Sequence, residues 1–381
     1  MQDFVHLHVH TQYSILDGQA SIPRLVDKAI ANGMRGIAVT DHGDMFGIKE
    51  FFNYVNKKNG GTNGEIKDLK KRIAALESGK EESENPEAEI AACKEQLEAA
   101  KKKLFKPIVG CEMYGARRRL EDKEGKPDQS GYHLVVLAKN LKGYHNLIKL
   151  VSKAWTKGFY MRPRTDRTEL EKYHEGLIVC SACLGGEVPR RITAGQFEEA
   201  EEAIRWYKNL FGDDYYLELQ RHKAIVPRAN HEVYPMQQVV NEKLIEYAKK
   251  YNIKLVCTND VHFVDEENAE AHDRLICLST GKDLDDPNRM LYTKQEWMKT
   301  REMNEIFADV PEALSNTVEV CDKVEFYSID HAPIMPTFAI PEDFGTEEEY
   351  RKKFTEKDLF DEFTRDENGN VVMDEAAAKA K

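Results

Sequence analysis

The chain has 381 residues, of which 41% are hydrophobic, so it can bury the core of one large domain or of two smaller ones. Its formal net charge of −12 argues against a protein that coats DNA by neutralising phosphates, although bound divalent cations can invert a local field. The start lacks the basic segment of a secretion signal, and no apolar run approaches the roughly 18 residues of a membrane helix. Seven scattered cysteines favour a reducing cytoplasm over a disulfide framework.

Short apolar runs rich in β-branched and aromatic residues predict seven strands, separated by stretches of helical period. In chain order these strands are Phe4–Val9, Gly36–Thr40, Pro107–Tyr114, His133–Ala138, Leu177–Ser181, Tyr215–Leu219 and Lys254–Thr258. The alternation predicts a parallel α/β architecture, with functional residues gathered at the carboxyl ends of the strands. A closed barrel and an open doubly wound sheet remain alternatives at this point.

Residues 57–105 interrupt the alternation with a highly charged segment. Apolar residues recur there at helical spacing on both sides of a polar turn, at Ile66, Leu69, Ile73 and Leu76 and then at Ile90, Cys93, Leu97, Ala100 and Leu104. The pattern predicts an antiparallel helical hairpin inserted between two core elements. We expect a solvated structural insert, with an arm that docks a partner as the alternative.

From about residue 282 the chain becomes more polar, and we place a domain boundary between residues 1–281 and 282–381. Helices are predicted at Thr293–Phe307 and Pro311–Val324, followed by a proline-rich extended piece at Ala332–Pro341. The final residues resemble the start of an interrupted helix, which predicts a fragment of a longer protein.

Three histidines, His6, His8 and His10, alternate along the first predicted strand and therefore share one face. Neutral imidazole is the commonest metal ligand in proteins, so the row indicates a metal site, with a polar edge strand as the alternative. Other predicted strands end in Thr40-Asp41-His42-Gly43, in Glu112 and in Asn259-Asp260-Val261-His262. Because each of these runs places a histidine or a carboxylate at the end of a predicted strand, the pattern favours the metal site. His133, at the start of its strand, and Cys183, after the fifth strand, are further candidates.

A mixed set of His, Asp, Glu and Cys ligands suits Zn, Mn or Fe better than Mg or Ca, which prefer oxygen. So many ligands imply more than one ion. Clustered ions about 3.5–4 Å apart promote in-line displacement at phosphorus. The residues therefore predict phosphoester hydrolysis without indicating its substrate.

Taken in order, these motifs resemble those of the PHP (polymerase and histidinol phosphatase) superfamily. The matching residues are His8-Val9-His10, Thr40-Asp41-His42-Gly43, Glu112, His133 and Asp260-Val261-His262. Other runs resemble the N-terminal part of the alpha subunits of bacterial replicative DNA polymerases, namely Tyr13–Gly18, Lys106–Gly110, Asn259-Asp260 and Phe307–Leu314. The resemblance runs from residue 3 to about 340. It implies a distorted (β/α)7 barrel with the helical hairpin as an insertion and residues after 282 beginning the polymerase core.

The family pattern implies two to three divalent ions, with Zn or Mn expected and Mg or Fe as alternatives. The implied ligands are His8, His10, Glu112 and Asp260 for the first ion, Glu112, His133 and Cys183 for the second, and Asp17, His42 and His262 for the third. Of these, Glu112, Asp260 and His42 are the expected catalytic residues. His6 is expected behind the ligands or facing solvent, and Asp41 as an orienter of a ligating histidine.

With this ligand set, the resemblance implies a metal-dependent phosphoesterase acting as a 3′–5′ proofreading exonuclease. The implied partners are the single-stranded 3′ end of DNA, the polymerase core of a full-length DNA-directed nucleotidyltransferase and replication subunits such as the sliding clamp, in the cytoplasm and away from membranes. The paired-aspartate signature of the polymerase site is missing from this sequence. The alternatives are a catalytically silent scaffold stabilised by metal and a small-molecule phosphatase of the histidinol phosphatase type.

Some basic residues are further candidates for contact with DNA. Arg162, Arg164 and Arg167 lie in a polar loop near Tyr160, where they can act as an electrostatic guide for a single strand. The run Arg117-Arg118-Arg119 can grip a DNA backbone or form a solvated basic turn. Among the remaining histidines, only His222 is expected near the site. The others, expected on surfaces, are His145, His174, His231, His272 and His331.

Overall fold

The computed structural model describes residues 2–81, 83–337, 342–374 and 376–377. They form two compact units, Met1–Ile329 and Asp330–Lys381. The strands are β1 Gly36–Val39, β2 Lys106–Gly115, β3 Tyr132–Ala138, β4 Arg164–Thr165, β5 Leu177–Cys180, β6 Tyr215–Leu219 and β7 Lys254–Cys257. The helices of the first unit are α1 Ile22–Ala31, α2 Ile48–Lys58, α3 Gly60–Glu77, α4 Pro86–Lys103, α5 Leu141–Thr156, α6 Arg167–Tyr173, α7 Glu187–Thr193, α8 Phe197–Phe211, α9 Val233–Tyr251, α10 Ala269–Thr280, α11 Arg301–Ile306 and α12 Pro311–Lys323. The second unit contains α13 Glu347–Lys353 and α14 Glu356–Thr364.

The strands form one mixed sheet in the order β1-β2-β3-β5-β6-β7, and β4 pairs with β2 beside this path. β3 is antiparallel to both of its neighbours, whereas the other pairs are parallel. The expectation of an all-parallel sheet was therefore wrong for β3. The reason lies in residues 116–131, which join β2 to β3 with only a 3₁₀ turn and without the crossover helix that a parallel return requires.

The predicted first strand, Phe4–Val9, forms no regular strand, and its last residue makes a single bridge to Val261. The segment still runs between the two ends of the sheet. The Ala38 N–H of β1 donates to the His6 carbonyl at 2.9 Å, and the His10 N–H donates to the Val261 carbonyl at 2.7 Å. It thereby links β1 to the chain that follows β7, and the curved sheet with its surrounding helices is a distorted α/β barrel.

Successive strand residues face two cores, because side chains alternate across a sheet. One core lies against the surrounding helices, where α1 buries Ile22, Leu25, Val26 and Ala29 as its helical period predicts. The other lies inside the barrel and is completed by Val320 and Cys321 of α12 and by Val324, which directly follows that helix. The Lys106 ammonium at the start of β2 donates to the Cys321 carbonyl at 2.7 Å. Helix α12 therefore covers the amino-terminal end of the barrel and leaves the carboxyl-terminal end open.

Helices α3 and α4 form the predicted hairpin and bury a small core of their own, made of Ile66, Ile73, Cys93, Leu97 and Ala100. The base of the hairpin is closed by Asn59, whose amide donates to the Phe105 carbonyl at 2.8 Å and accepts from the Phe105 N–H at 3.0 Å. The two ends of the insertion therefore lie side by side.

Replacing residues 60–103 with a short glycine-serine linker is expected to lower the free energy of unfolding by less than about 2 kcal/mol. The hairpin buries its apolar residues mainly against each other. The linker spans only the short gap between Asn59 and Phe105, which the hydrogen bonds between these two residues already close. Urea unfolding followed by circular dichroism measures the change. Asn59→Ala in the full chain is the comparison, with an expected loss of about 1–3 kcal/mol from unsatisfied backbone groups. A loss above about 4 kcal/mol on shortening would contradict an independent insert.

The region after residue 281 differs from the prediction in one element and agrees in another. Helix α12 matches the expected Pro311–Val324, but the expected Thr293–Phe307 is helical only at 301–306. Residues 293–300 are instead irregular, with a single bridge from Trp297 to Phe263. The Glu296 carbonyl accepts from the His262 N–H at 2.8 Å, and the Met298 N–H donates to the Phe263 carbonyl at 3.2 Å. Pairing with the barrel overrides the local helical period. Residues up to Ile329 therefore belong to the first compact unit. The domain boundary expected between residues 281 and 282 stays a prediction.

In the second unit, α13 and α14 each begin with a capping box, at Thr346 and Thr355. The expected extended piece at Ala332–Pro341 is described as far as residue 337, without helix or strand, and its remaining residues lie outside the described ones. The expected terminal helix likewise falls largely outside them. Throughout the described ranges, no helix combines the length and the apolar character needed to cross a bilayer.

Candidate metal centre

The carboxyl-terminal edge of the sheet brings together the side chains that the sequence marked as ligands. His42 follows β1, Glu112 lies near the end of β2, and Asp260 follows β7. The same edge receives His133 because β3 runs in reverse, so that the start of this strand lies beside the ends of the others. The antiparallel direction of β3 thus explains why a residue at the beginning of a strand reaches the site.

Glu112 lies at the centre of this cluster and is 1% exposed. Its Oε1 is 3.3 Å from His8 Nε2 and 2.8 Å from His133 Nδ1. Its Oε2 is 3.3 Å from His10 Nε2 and 2.7 Å from His42 Nδ1. One carboxylate therefore has four imidazoles around it, from three different segments of the chain, an arrangement that suits a bridging ligand.

Two further carboxylates complete the cluster from opposite sides. Asp260 Oδ1 lies 3.2 Å from the Nε2 atoms of both His8 and His10. Asp17 Oδ2 lies 2.7 Å from His42 Nε2 and 3.3 Å from His262 Nε2. Every imidazole here thus faces at least one negatively charged oxygen.

Cys183 lies at the rim of the cluster, next to the His133 ring. Its Sγ is 3.5 Å from His133 Nδ1 and 3.7 Å from Glu112 Oε1, and it accepts the Gly185 N–H at 3.4 Å. The preceding Ala182 has a φ of 62°, a left-handed conformation that costs free energy for a residue with a side chain. Asp260 has a φ of 45°, so two candidate ligand segments carry local backbone strain.

The cluster contains buried nitrogen and oxygen atoms that approach each other closely but, within the described part of the chain, make no hydrogen bond. They are His8 Nε2, His10 Nε2, His42 Nδ1, Glu112 Oε2, Asp260 Oδ1 and His262 Nε2. Buried polar atoms are normally satisfied, so a group of unsatisfied ones in one place needs a partner. Their mixture of imidazole nitrogen and carboxylate oxygen suits a divalent metal such as Zn or Mn. The donor set therefore fits the implied metal.

Three triplets of donor atoms have all members within 4.8 Å of one another. They are His8, His10 and Glu112, then His42, Glu112 and His133, and finally His10, His42 and His262. The first triplet falls within the set expected for the first ion, whereas the second joins His42, expected at the third ion, to Glu112 and His133, expected at the second. The third joins His10 to the pair that was expected to act with Asp17, so the division of the ligands among ions remains a proposal.

Burial disfavours the charged form of each side chain in the cluster, and the neighbouring charges then shift its pKa up or down. Burial alone raises the pKa of Glu112, but the imidazoles of His133 and His42 hold the pKa well below its usual range. Burial alone lowers the pKa of His8, but Asp260 and other carboxylates hold it well above its usual value. His10 keeps a lowered pKa because burial and the like charge of His42 act together.

A second set of side chains orients the candidate ligands. His8 Nδ1 is 2.7 Å from the buried Glu218 Oε1, and that carboxylate also accepts from Gln220 Nε2 at 3.0 Å. His262 Nδ1 lies 2.7 Å from the Asp260 carbonyl, which leaves its Nε2 facing the cluster. Such contacts fix the tautomer and direction of a ligating imidazole. The sequence analysis missed Glu218, whose signal was a carboxylate inside the apolar β6 strand.

His10 is oriented through a relay that includes Asp41. Ser14 Oγ lies 2.9 Å from His10 Nδ1 and donates to Asp41 Oδ1 at 2.9 Å. Asp41 also accepts the Thr11 N–H at 2.6 Å, so it holds the loop that carries Ser14. The expectation that Asp41 orients a histidine agrees with this contact, although Asp41 acts through a serine. On the other side, the Tyr292 hydroxyl donates to Asp17 Oδ1 at 2.8 Å.

Glu218→Gln is expected to weaken metal binding by about 10–100-fold, because His8 loses a charged acceptor for its Nδ1 proton. Competition with a chromogenic chelator measures the affinity. Glu95→Gln, on the exposed face of α4, is the matched control and should bind as the wild type does. Unchanged affinity in Glu218→Gln would show that His8 is not held by this contact or is not a ligand.

Several other expected positions differ in the structure. Arg164 is fully buried and donates to the Gly158 and Leu120 carbonyls, so the expectation that it guides a strand was wrong. His272, expected at the surface, is 1% exposed because it packs beside His262. Two more histidines contact backbone carbonyls. His6 is buried with its Nε2 against the Lys299 carbonyl, and His222 is buried with its Nε2 3.2 Å from the Asn259 carbonyl.

Comparison with known proteins places this geometry in a family. The model of the PHP domain matches residues 6–222. The chain is 38% identical over 92% of its length to the DNA polymerase III subunit alpha of Borreliella burgdorferi, and 35% identical over 99% to that of Treponema pallidum. It spans 26% and 27% of those relatives, about a quarter of their length.

Among solved structures, a metal-dependent phosphoesterase of Bifidobacterium adolescentis aligns over 69% of this chain and 88% of its own. Its identity is 14% and its TM-score is 0.32. The match to the PHP model covers more than half of the chain and includes most of the residues in the cluster. The chain therefore belongs to the PHP domain family.

Proposed function

We propose that this chain is a metal-dependent phosphodiesterase domain that shortens single-stranded DNA from its 3′ end. The observation that carries the proposal is the group of unsatisfied imidazole and carboxylate atoms around Glu112. A bridging carboxylate with several imidazoles is a ligand arrangement for clustered divalent ions. The proposed ligands are His8, His10, Asp17, His42, Glu112, His133, Cys183, Asp260 and His262.

Bound at these donors, Zn or Mn would supply Lewis-acid stabilisation of the charge that develops on phosphorus oxygens. The chain's own residues prepare the donors for this role. Glu112 stays ionised because the surrounding imidazoles hold its pKa low. The Asp260 carbonyl accepts the proton on His262 Nδ1, so the lone pair of Nε2 would be available to coordinate a metal. Glu112, Asp260 and His42 would then border the reacting phosphate.

The relatives supply the biological setting of the proposal. They carry the name DNA polymerase III subunit alpha, and this chain matches about a quarter of their length. We therefore infer a proofreading role beside a polymerase core, with residues 1–281 as the phosphoesterase domain and 282–381 leading into that core. A cytoplasmic location and contact with other replication subunits, among them the sliding clamp, belong to the same proposal.

The proposal is tested by incubating the purified chain and Mn²⁺ with a 5′-labelled single strand and with a primer that carries a 3′ mismatch. Stepwise shortening from the 3′ end is expected, and Asp260→Ala should abolish it because one carboxylate oxygen contacts two candidate ligands. Hydrolysis of histidinol phosphate without shortening of DNA would support a small-molecule phosphatase instead. A folded, metal-loaded chain that hydrolyses neither substrate would support a structural scaffold.

A further inference from the structure

The mouth of the metal centre is lined by aromatic side chains that face solvent. A cavity of about 470 Å³ opens beside His42 and His133, and its outer wall includes Phe46, Trp155 and Phe159. These three side chains are 58%, 41% and 44% exposed. Large apolar side chains exposed together at the mouth of a site are a mark of ligand binding.

The three rings form a continuous surface, here named the aromatic ladder (Phe46, Trp155 and Phe159). The Trp155 and Phe159 rings are stacked, with centroids 5.5 Å apart and planes inclined by 17°. The Phe46 ring continues the row, with its centroid 6.2 Å from that of Trp155. The Trp155 indole N–H donates to the Gly43 carbonyl at 2.8 Å. Because Gly43 follows His42, the ladder is attached to the loop of a candidate ligand.

A positive charge lies close to the ladder. The Arg162 guanidinium is 5.7 Å above the Tyr114 ring, which in turn stacks on His42 at 5.9 Å. Arg162 is exposed and lines the cavity, unlike the buried Arg164 two residues later. An arginine can contact a phosphate while its plane rests on an aromatic ring. The mouth therefore offers stacking surfaces and a phosphate contact side by side.

We propose that the aromatic ladder binds unpaired bases at the end of a nucleic acid strand while Arg162 contacts the neighbouring phosphate. The inference rests on the proposed function, and it adds the side chains that hold the unpaired bases of the substrate at the mouth of the site. A base stacked on an aromatic side chain gains affinity with little dependence on sequence, because every base has a π face. A duplex end presents bases that are already stacked on each other, so it gains less from the ladder.

The first test compares substitutions of Phe159 in the Mn²⁺-loaded full chain, with a single-stranded oligothymidine as substrate. Phe159→Leu keeps apolar bulk but removes the aromatic face, and it should raise the KM about tenfold. Phe159→Tyr restores the ring and should recover the wild-type KM. Phe197→Leu is the matched control, because Phe197 is also 44% exposed but lies on α8, outside the cavity wall. A tenfold rise in Phe197→Leu would overturn the assignment.

The second test does not depend on hydrolysis. Titration with a phosphorothioate oligothymidine should quench tryptophan fluorescence, since a base stacks on Trp155. The quench should persist in Trp206→Phe and disappear in Trp155→Phe. In Phe159→Leu the apparent affinity for the oligothymidine should fall about tenfold. A blunt duplex should give a smaller quench than the single strand.

The two tests separate the two proposals. A chain that quenches in this pattern but cleaves no strand leaves the ladder standing and overturns the proposed hydrolysis. A chain that cleaves strands while Phe159→Leu changes neither the KM nor the quench overturns the ladder. An equal quench with duplex would likewise show that the ladder does not select unpaired bases.

Discussion

Replacing Glu112 with glutamine is expected to lower the rate of single-strand hydrolysis by about 10³-fold. The substitution preserves the shape of a side chain that is 1% exposed, but it removes the charge shared by four neighbouring imidazoles. Loss of a bridging ligand removes several kcal/mol of charge stabilisation, and about 4 kcal/mol corresponds to this factor. Steady-state rates and the metal content by elemental analysis measure the two consequences together.

Glu169→Gln is the matched control for this substitution. Glu169 is also largely buried, but it pairs with Lys153 at 2.7 Å and lies outside the cluster. We expect it to retain the wild-type rate and the full metal content. If Glu112→Gln keeps its metal and remains within tenfold of the wild-type rate, Glu112 is not a bridging ligand and the proposed site is wrong.

Removal of metal is expected to lower the melting temperature by on the order of 10 °C while leaving the fold assembled at 25 °C. A ligand present at 1,000 times its Kd contributes about 4 kcal/mol, and in a domain of this size each kcal/mol shifts melting by about 2–4 °C. The effect is large because the candidate ligands come from the N-terminal segment, from β2 and from the chain after β7, which together close the barrel. Differential scanning calorimetry with and without chelator measures it.

The decrease in melting temperature on metal removal should become larger as the pH rises from about 6.5 to 9. Burial lowers the pKa of His262, but the Asp17 carboxylate outweighs it and raises the pKa to about 9. A group with a raised folded pKa contributes stability that is complete below 6.5 and is lost as pH rises through 9. Only the metal-free protein loses the stability that the protonated His262 contributes. In the metal-bound protein, coordination would hold the neutral His262 ring in place. His10, with its lowered pKa, is neutral throughout this window.

Glu112→Gln serves as the control for metal removal as well. Its melting temperature should respond to the chelator by less than half of the wild-type shift, since the central donor is gone. A wild-type chain whose melting temperature is unchanged by chelator across this pH range would show that the cluster does not bind metal tightly enough to stabilise the fold.

Much of the barrel was predictable because its strands are local patterns of burial. The runs that became β6 and β7 are dense in apolar and aromatic residues, and they form strands within one residue of their predicted ends. The hairpin was equally visible, since its helical spacing and charged faces describe two helices that bury little beyond each other. These elements depend on interactions between residues close in the chain, which a sequence displays directly.

The direction of β3 and the conformation of residues 293–300 depended on the tertiary structure. The helical period at 293–300 was real, but backbone groups there satisfy the buried 262–264 segment, and an unsatisfied buried group costs more than helix propensity contributes. Likewise, the first predicted strand has the apolar pattern of a strand but serves as an irregular link between β1 and the end of β7.

The same division holds for the candidate site. The sequence alone determined which residue types stand at the strand ends, because His42, Glu112 and Asp260 each follow an apolar run. Only the tertiary structure decided their partners, since Glu218 is 210 residues from His8 and Tyr292 is 275 residues from Asp17. It also decided that Trp155 and Phe159 face the cavity mouth. Such pairings follow from satisfying buried polar groups and packing rings across the fold, and no local pattern encodes them.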